Sequence, residues 1–168
     1  MVKVNIFCDG SIRRATVQGT ERLTRAAFAS WVSDSGHYWA DLVYSRNSHD
    51  AEVCAIMLAI DWAVEAGYKT INIFSDDYSI IQSLTGKHQG KDLRELIKLV
   101  TRSEAQVTIQ YIPRCANGDA HRLCSQAFEE YIKNSAFPRK TKRKRSYLTV
   151  EGIDKAKRKG WVKEACQM

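Results

Sequence analysis

The chain has 168 residues, which is enough for one domain with a hydrophobic core and a short extension. Hydrophobic residues make up 44% of it, a fraction that excludes a disordered protein. The longest apolar stretch, residues 51–66, carries three acids and is no membrane span, and the N-terminus lacks the pattern of a signal peptide. We therefore expect an intracellular, cytoplasmic protein that is monomeric and has no membrane partner.

The five cysteines are spread along the whole chain. Their odd number and wide spacing indicate neither a zinc site nor a disulfide framework. Cys8 and Cys54 lie in apolar runs, so we expect both to be small core residues of a reduced protein.

Positive charge is concentrated in the last fifth of the chain. Residues 138–168 contain eleven Lys and Arg against three acids, so the net charge of +7 comes entirely from this segment. We place a compact domain at 1–137 and a basic tail, with room for one short helix, at 138–168. The tail residues expected to bind nucleic-acid phosphates are Arg139, Lys140, Lys142, Arg143, Lys144 and Arg145. A solvated tail or a targeting signal is the alternative interpretation.

Hydrophobic periodicity predicts five strands and four helices. In chain order they are strands at 2–8, 26–33 and 37–45, a helix at 51–66, a strand at 70–76, helices at 77–84 and 91–103, a strand at 106–112 and a helix from Asn117. A turn at residues 34–36 makes the second and third strands an antiparallel hairpin. Strands that then alternate with helices predict an α/β fold, with a mixed sheet and helices on its faces.

Three acids stand at prominent positions of this pattern. Asp9 and Asp76 each follow an apolar strand, and the two strands are parallel neighbours if the helix at 51–66 crosses over between them. The two carboxylates would then repel each other unless a divalent cation offsets their charge. Solvated turn residues are the alternative for both. Glu52 lies in the first turn of the most apolar helix, where an acid that favours the helix dipole is the alternative.

In this order, CDGS at 8–11, AE at 51–52 and SDD at 75–77 resemble the motifs of type I ribonuclease H, over about residues 2–134. The resemblance implies a ribonuclease H-like fold with a mixed five-stranded sheet. It also implies a metal-dependent endonuclease that cuts the RNA strand of RNA–DNA hybrids. Asp9, Glu52 and Asp76 would be catalytic ligands of two Mg²⁺ ions about 3.5–4 Å apart, which Mn²⁺ could replace.

The same resemblance suggests where the hybrid binds. The positions that match the family's substrate contacts are Gly10, Ser11, Ser48 and His49. The family more often has Asn at the last two positions, although Ser and His also form hydrogen bonds. Ordinary helix capping is the alternative interpretation for Ser48 and His49.

The fourth catalytic position departs from the family pattern. The last helix begins NGDAH at 117–121, which places His121 where the family has a metal-binding Asp. His121 could itself be catalytic and bind metal, with Mn²⁺ preferred because it tolerates nitrogen ligands better than Mg²⁺. Asp119 could substitute, although it lies about 200° away around a helix. The third possibility is an impaired site. The preceding loop at 113–118 has Arg114 as its only charged residue.

Two functions other than a ribonuclease H remain open on the sequence. One is a different nuclease of the same fold, such as a resolvase-like enzyme. The other is a nucleic-acid-binding protein that kept the fold and lost its activity.

Overall fold

The computed structural model describes residues 2–16, 23–86 and 90–135. The strands are β1 (Lys3–Thr16), β2 (Leu23–Ser33), β3 (Tyr38–Val43), β4 (Thr70–Ser75) and β5 (Gln106–Tyr111). The helices are α1 (Ser48–Glu65), α2 (Tyr78–Thr85), α3 (Lys91–Arg102) and α4 (Gly118–Ser135), with a 3₁₀ turn at Arg114–Ala116. This order of elements is the one that the sequence predicts.

The strands form one mixed sheet in the order β3-β2-β1-β4-β5. β1 pairs antiparallel with β2 and β2 with β3, whereas β4 is parallel to both β1 and β5. The predicted α/β class, the five strands and the parallel pairing of the first and fourth strands are therefore confirmed.

β1 is longer than the predicted strand at 2–8. Its parallel pairing with β4 ends at Cys8 and Ser75, but its antiparallel pairing with β2 continues as far as Thr16. The prediction stopped early because residues 9–16 lack apolar alternation, and the extra length is held by backbone bonds to β2. Asp9 thus lies inside a strand, at the point where β1 and β4 separate. Residues 17–22 lie outside the described residues.

α1 packs on one face of the sheet. Val4, Ile6, Ile71 and Ile73 on β1 and β4 are fully buried in one cluster with seven apolar residues of α1, which are Val53, Cys54, Ala55, Ile56, Ala59, Ile60 and Ala63. The ring centroids of Trp62 in α1 and Trp31 in β2 lie 4.5 Å apart. This continuous apolar contact fixes where α1 begins relative to the end of β4.

α4 covers the other face, over β1, β2 and β3. Its Phe128 and Tyr131 rings pack edge-on against Phe28, with ring centroids 5.6 and 5.7 Å apart. Cys8 and Cys54 are fully buried, as predicted, and burial raises the pKa of both thiols. No helix in the described part of the chain combines the length and the apolarity that a bilayer crossing requires.

Candidate active site

Three carboxylates meet where β1 and β4 separate. Asp9 comes from β1, Glu52 from the beginning of α1, and Asp76 directly follows β4. One oxygen from each carboxylate lies within 4.8 Å of the other two. Asp9 and Glu52 are only 3% and 5% exposed, so they are not solvated turn or helix-end residues. The convergence expected from the strand order is observed, and it includes the acid of α1.

Gly10 is what lets α1 approach β1 so closely. A Cβ atom at this position would lie 2.2 Å from the backbone nitrogen of Glu52 and 2.3 Å from the carbonyl carbon of Ala51. The Gly10 backbone also hydrogen-bonds to the Glu52 carboxylate. Gly10, expected from the resemblance to contact substrate, is buried and positions Glu52 against Asp9.

Glu52 has the most perturbed carboxyl group of the site. Burial, followed by the charges of Asp9 and Asp76, raises its pKa to about 9, and the hydrogen bond from the Gly10 backbone partly opposes the shift. The Ser75 hydroxyl donates a weak hydrogen bond of 3.4 Å to its Oε2 atom. At neutral pH and without a cation, this carboxyl group holds a proton.

This donor set fits a hard divalent cation. Its members are carboxylate oxygens, which Mg²⁺ and Mn²⁺ prefer over softer ligands. A cation would also offset the repulsion that keeps Glu52 protonated. The residues present therefore fit the metal site that the resemblance implies.

Asn117 joins the two strand ends on which the acids lie. Its Nδ2 atom donates to the Cys8 carbonyl oxygen at 2.7 Å and to Asp76 Oδ1 at 3.2 Å. The side chain is 1% exposed, and its Oδ1 atom has no hydrogen-bond partner among the described residues. This role of Asn117 was not predicted, because its partners lie 41 and 109 residues away along the chain.

His121 also faces this edge. From the first turn of α4, its Nδ1 atom lies 3.3 Å from Asp9 Oδ2. A terminal nitrogen of Arg114 lies 3.2 and 3.4 Å from its two ring nitrogens. Among the described residues, however, the group whose ligand atoms all lie within 4.8 Å of one another consists of Asp9, Glu52 and Asp76, without His121.

Asp119 points away from the site. Its side chain is 70% exposed and accepts a hydrogen bond of 3.0 Å from Arg122. This is the orientation expected two residues before His121 on a helix. The geometry gives no support to a role for Asp119 in binding the metal.

The predicted substrate residues lie on β1 and at the start of α1, the two elements that carry Asp9 and Glu52. The Ser11 hydroxyl accepts a hydrogen bond of 3.3 Å from Arg13, whose guanidinium also reaches Ser125 at 2.9 Å. Ser48 is exposed at the start of α1. Asn47, and not Ser48, caps α1, since its side chain accepts from the Asp50 backbone at 2.8 Å.

His49 is tied to the start of α2. Its Nδ1 atom lies 3.1 Å from Asp77 Oδ2 and 2.9 Å from the Ser79 hydroxyl oxygen. The sequence did not predict this contact. The tail residues expected to bind phosphates, from Arg139 to Arg145, lie outside the described residues.

The fold and the site define a ribonuclease H-like α/β domain, and comparison with known proteins agrees. Residues 18–127 match the family described as reverse transcriptase-like. The chain therefore belongs to this family, within the ribonuclease H-like superfamily. The matched range contains Glu52, Asp76 and His121 and begins after Asp9. A comparison with curated proteins found no significant match.

Solved structures show the same fold at low identity. RNase H1 from the halophilic archaeon Halobacterium salinarum NRC-1 is 23% identical, with 76% of this chain and 98% of that chain covered and a TM-score of 0.61. The N-terminal RNase H domain of rv2228c from Mycobacterium tuberculosis is 20% identical, with 82% and 100% covered and a TM-score of 0.63. LC11-RNase H1 in complex with an RNA/DNA hybrid is 17% identical, with 77% and 99% covered and a TM-score of 0.61.

Proposed function

We propose that this protein is a metal-dependent endonuclease that hydrolyses the RNA strand of RNA–DNA hybrids. The observation that carries the proposal is the convergence of Asp9, Glu52 and Asp76, whose ligand atoms lie within 4.8 Å of one another. Three carboxylates in such contact, two of them buried, destabilise a fold unless a cation is bound. A site with that cost is typical of function.

Asp9, Glu52 and Asp76 would hold the metal, and His121 would add a nitrogen ligand beside Asp9. The chemistry that Mg²⁺ or Mn²⁺ ions, two in the proposed arrangement, would supply when held by these residues is activation of water and stabilisation of the charge on the phosphate. Glu52 must release its proton for the site to load, because its carboxyl group is neutral near pH 7 in the absence of metal. Metal binding therefore releases protons and strengthens as the pH rises.

Residues around the acids would orient them and supply positive charge toward an approaching phosphate. Asn117 fixes the Asp76 carboxylate and bridges the gap between β1 and β4. The Arg114 guanidinium, beside His121 at the exposed side of the site, supplies positive charge where an anionic strand would approach. Fixed groups of this kind lower the barrier because they need no reorganisation during the reaction.

An RNA–DNA hybrid is the proposed substrate for two reasons. One solved structure of this fold, LC11-RNase H1, is in complex with an RNA/DNA hybrid. In this chain, Ser11, Ser48 and His49 offer hydrogen-bonding groups on the elements that carry Asp9 and Glu52. Polar groups at such positions are suited to the 2′-hydroxyls of a wide minor groove.

Cleavage of a labelled RNA–DNA hybrid tests this function. With Mg²⁺ or Mn²⁺ we expect cuts in the RNA strand, no cuts in duplex DNA or duplex RNA of the same sequence, and no cuts by an Asp9→Asn variant. A wild-type protein that leaves the hybrid intact with both metals would contradict the proposal. Cleavage of branched or duplex DNA in place of the hybrid would indicate a resolvase-like nuclease.

A non-catalytic binding protein is the second candidate. It is favoured by one observation, that His121 stands outside the group of three close carboxylates in the described residues. The same assay separates the two candidates. A wild-type protein that binds the hybrid but cuts it with neither metal would be a binding protein.

We further propose that the basic tail adds affinity for nucleic acid. Residues 139–145 contain six Lys and Arg in seven positions, enough for several phosphate contacts. Cutting the chain after residue 137 should weaken hybrid binding and flatten the dependence of log affinity on log salt. The fall in slope should be about 0.7–0.9 for each phosphate contact that is lost. Equal slopes for the full and the shortened chain would count against a phosphate-binding tail.

A further inference from the structure

His49, Asp77 and Ser79 form a hydrogen-bonded group beside the acids. His49 is in the first turn of α1, three residues before Glu52, and so lies on the same side of that helix. Asp77 directly follows Asp76 and caps α2, because its Oδ1 atom accepts from the Ser79 backbone at 2.9 Å. The group therefore joins the start of α1 to the start of α2 at the edge where the acids meet.

The partners of His49 determine which ring nitrogen carries hydrogen. Asp77 Oδ2, 3.1 Å from Nδ1, is a carboxylate oxygen and can only accept. The Ser79 hydroxyl donates its one hydrogen to Asp77 Oδ1, so its oxygen faces Nδ1 from 2.9 Å as an acceptor. Two acceptors on one side of the ring require a hydrogen on Nδ1. The neutral ring then has its lone pair on Nε2.

The Nε2 atom is available to a ligand. The His49 side chain is 34% exposed, and Nε2 has no hydrogen-bond partner among the residues that the structure describes. The neutral ring thus presents an acceptor on the surface next to Glu52. Since Nδ1 forms hydrogen bonds with both Asp77 and Ser79, a flip of the ring would break two hydrogen bonds.

An acceptor distinguishes between the two kinds of nucleic-acid backbone. Phosphate oxygens and the ring oxygen of the sugar only accept hydrogen bonds, whereas the 2′-hydroxyl of ribose also donates. An Nε2 lone pair therefore attracts a ribose and gains nothing from a deoxyribose or a phosphate. A ring with hydrogen on Nε2 would bind phosphate oxygens of either strand.

We propose that Asp77 and Ser79 are positioning residues that hold His49 as an acceptor for a 2′-hydroxyl, and so help this site to select an RNA strand. The proposal rests on the proposed function, since it assigns a specificity role within the same nucleic-acid site.

The Asp77→Asn variant tests this role with little change in shape. Asn is as good a helix cap as Asp, so α2 keeps its start. The new amide donates to Nδ1, which moves the ring hydrogen to Nε2 and makes that atom a donor. We expect the preference for hybrid over duplex DNA, measured as a ratio of dissociation constants with Ca²⁺ in place of Mg²⁺, to fall about threefold to tenfold, the range of one hydrogen bond.

A ratio of affinities separates this effect from simple electrostatics. Removing the Asp77 charge strengthens the binding of any polyanion, but it does so for both duplexes and cancels in the ratio. Glu95→Gln is the matched control: it also removes one carboxylate, from the exposed surface of α3, and should leave the ratio unchanged. A ratio that falls equally in both variants would overturn the proposal.

A double-mutant cycle tests whether Asp77 acts through His49. An Asn at position 49 presents a donor and an acceptor whatever residue 77 is, so Asp77→Asn should have no effect on the ratio in the His49→Asn background. Additive effects would overturn the proposal. Nitrogen NMR of the wild-type ring at pH 7.5 should show hydrogen on Nδ1 alone, and a ring with hydrogen on Nε2 would contradict it.

These outcomes are distinct from failure of the proposed function. A wild-type protein that cuts the hybrid, combined with an additive cycle, would refute only the role of Asp77 and Ser79. A wild-type protein that neither binds nor cuts the hybrid would refute both.

Discussion

Two histidine–aspartate pairs lie at the candidate site. The two histidines are equally exposed, but the two aspartates differ in burial and in their neighbours. The Nδ1–Oδ2 distances are 3.1 Å for His49–Asp77 and 3.3 Å for His121–Asp9, and the histidine side chains are 34% and 33% exposed. The Asp77 side chain is 22% exposed, but that of Asp9 is only 4% exposed. Asp77 also receives two donors from Ser79, whereas Asp9 lies against two other carboxylates.

This difference separates two uses of the same contact. A carboxylate whose negative charge already faces hydrogen-bond donors can orient a histidine without a metal. A buried carboxylate crowded by other acids has its charge offset only by a cation, which makes it a metal ligand. Distance alone would not distinguish the two pairs, since their hydrogen-bond lengths are nearly equal. The distinction comes from burial and from the neighbours of each aspartate.

The largest expected effect is the difference in cleavage rate when the aspartate of each pair is replaced by Asn. Asp9→Asn should reduce hybrid cleavage by at least about a thousandfold, because it removes the central metal ligand. Asp77→Asn should keep cleavage within about tenfold of wild type, since it disturbs a single hydrogen bond to substrate. Rates of cleavage under saturating hybrid, with Mg²⁺, measure both.

Thermal unfolding without metal provides the control for Asp9→Asn. The variant should unfold at the same temperature as the wild type or at a higher one, because it replaces a buried acid that is crowded by two other carboxyl groups with a neutral side chain. Lost activity together with a lower unfolding temperature would point to a folding defect. Comparable losses of activity in Asp9→Asn and Asp77→Asn would remove the distinction between the two pairs.

Much of this site could be predicted from the sequence. Apolar alternation located the strands, and the crossover by way of α1 made the strands that carry Asp9 and Asp76 parallel neighbours. Glu52 stood out as an acid in a helix that is apolar on nearly all sides. These inferences depend on periodicity and on the order of elements, which a single sequence contains.

The contacts between side chains could not be predicted in the same way. His49 meets Asp77 across 28 residues, which requires the rotation of α1 and the exact end of β4 to be known. Asn117 reaches Cys8 across 109 residues. The extension of β1 to Thr16 was missed because backbone pairing with β2, and not an apolar pattern, holds residues 9–16 in the strand.

The next largest expected effect is a pH dependence of stability that the buried carboxyl group of Glu52 causes. Burial and neighbouring charges raise the pKa of Glu52 to about 9 in the folded, metal-free protein, well above the ordinary value of 4.5. Between these two values the folded state holds a proton that the unfolded state has released. Stability therefore falls as the pH rises, by up to about 1.4 kcal/mol per pH unit, and is greatest below the unfolded-state pKa.

Denaturant unfolding in EDTA from pH 5 to 9 measures this slope. Glu52→Gln replaces the protonated acid with a neutral side chain of the same shape, so its slope should be markedly flatter than that of the wild type. Saturating Mn²⁺ should also flatten the wild-type slope, because the bound metal replaces the proton. A slope that Glu52→Gln leaves unchanged would show that other groups cause it.

The smallest expected effect concerns the metal preference that His121 imposes. A neutral imidazole supplies nitrogen and no charge, so the wild type should need more Mg²⁺ than Mn²⁺ for half-maximal cleavage. His121→Asp would add a carboxylate beside Asp9 and should tighten Mg²⁺ binding about tenfold, at some cost to metal-free stability. Asp119→Asn is the matched control, since that exposed carboxylate pairs with Arg122 and should alter neither titration. Identical metal dependence in the wild type and His121→Asp would mean that residue 121 contacts Asp9 without binding metal, which would make the His121–Asp9 pair an orienting contact like that of His49 and Asp77.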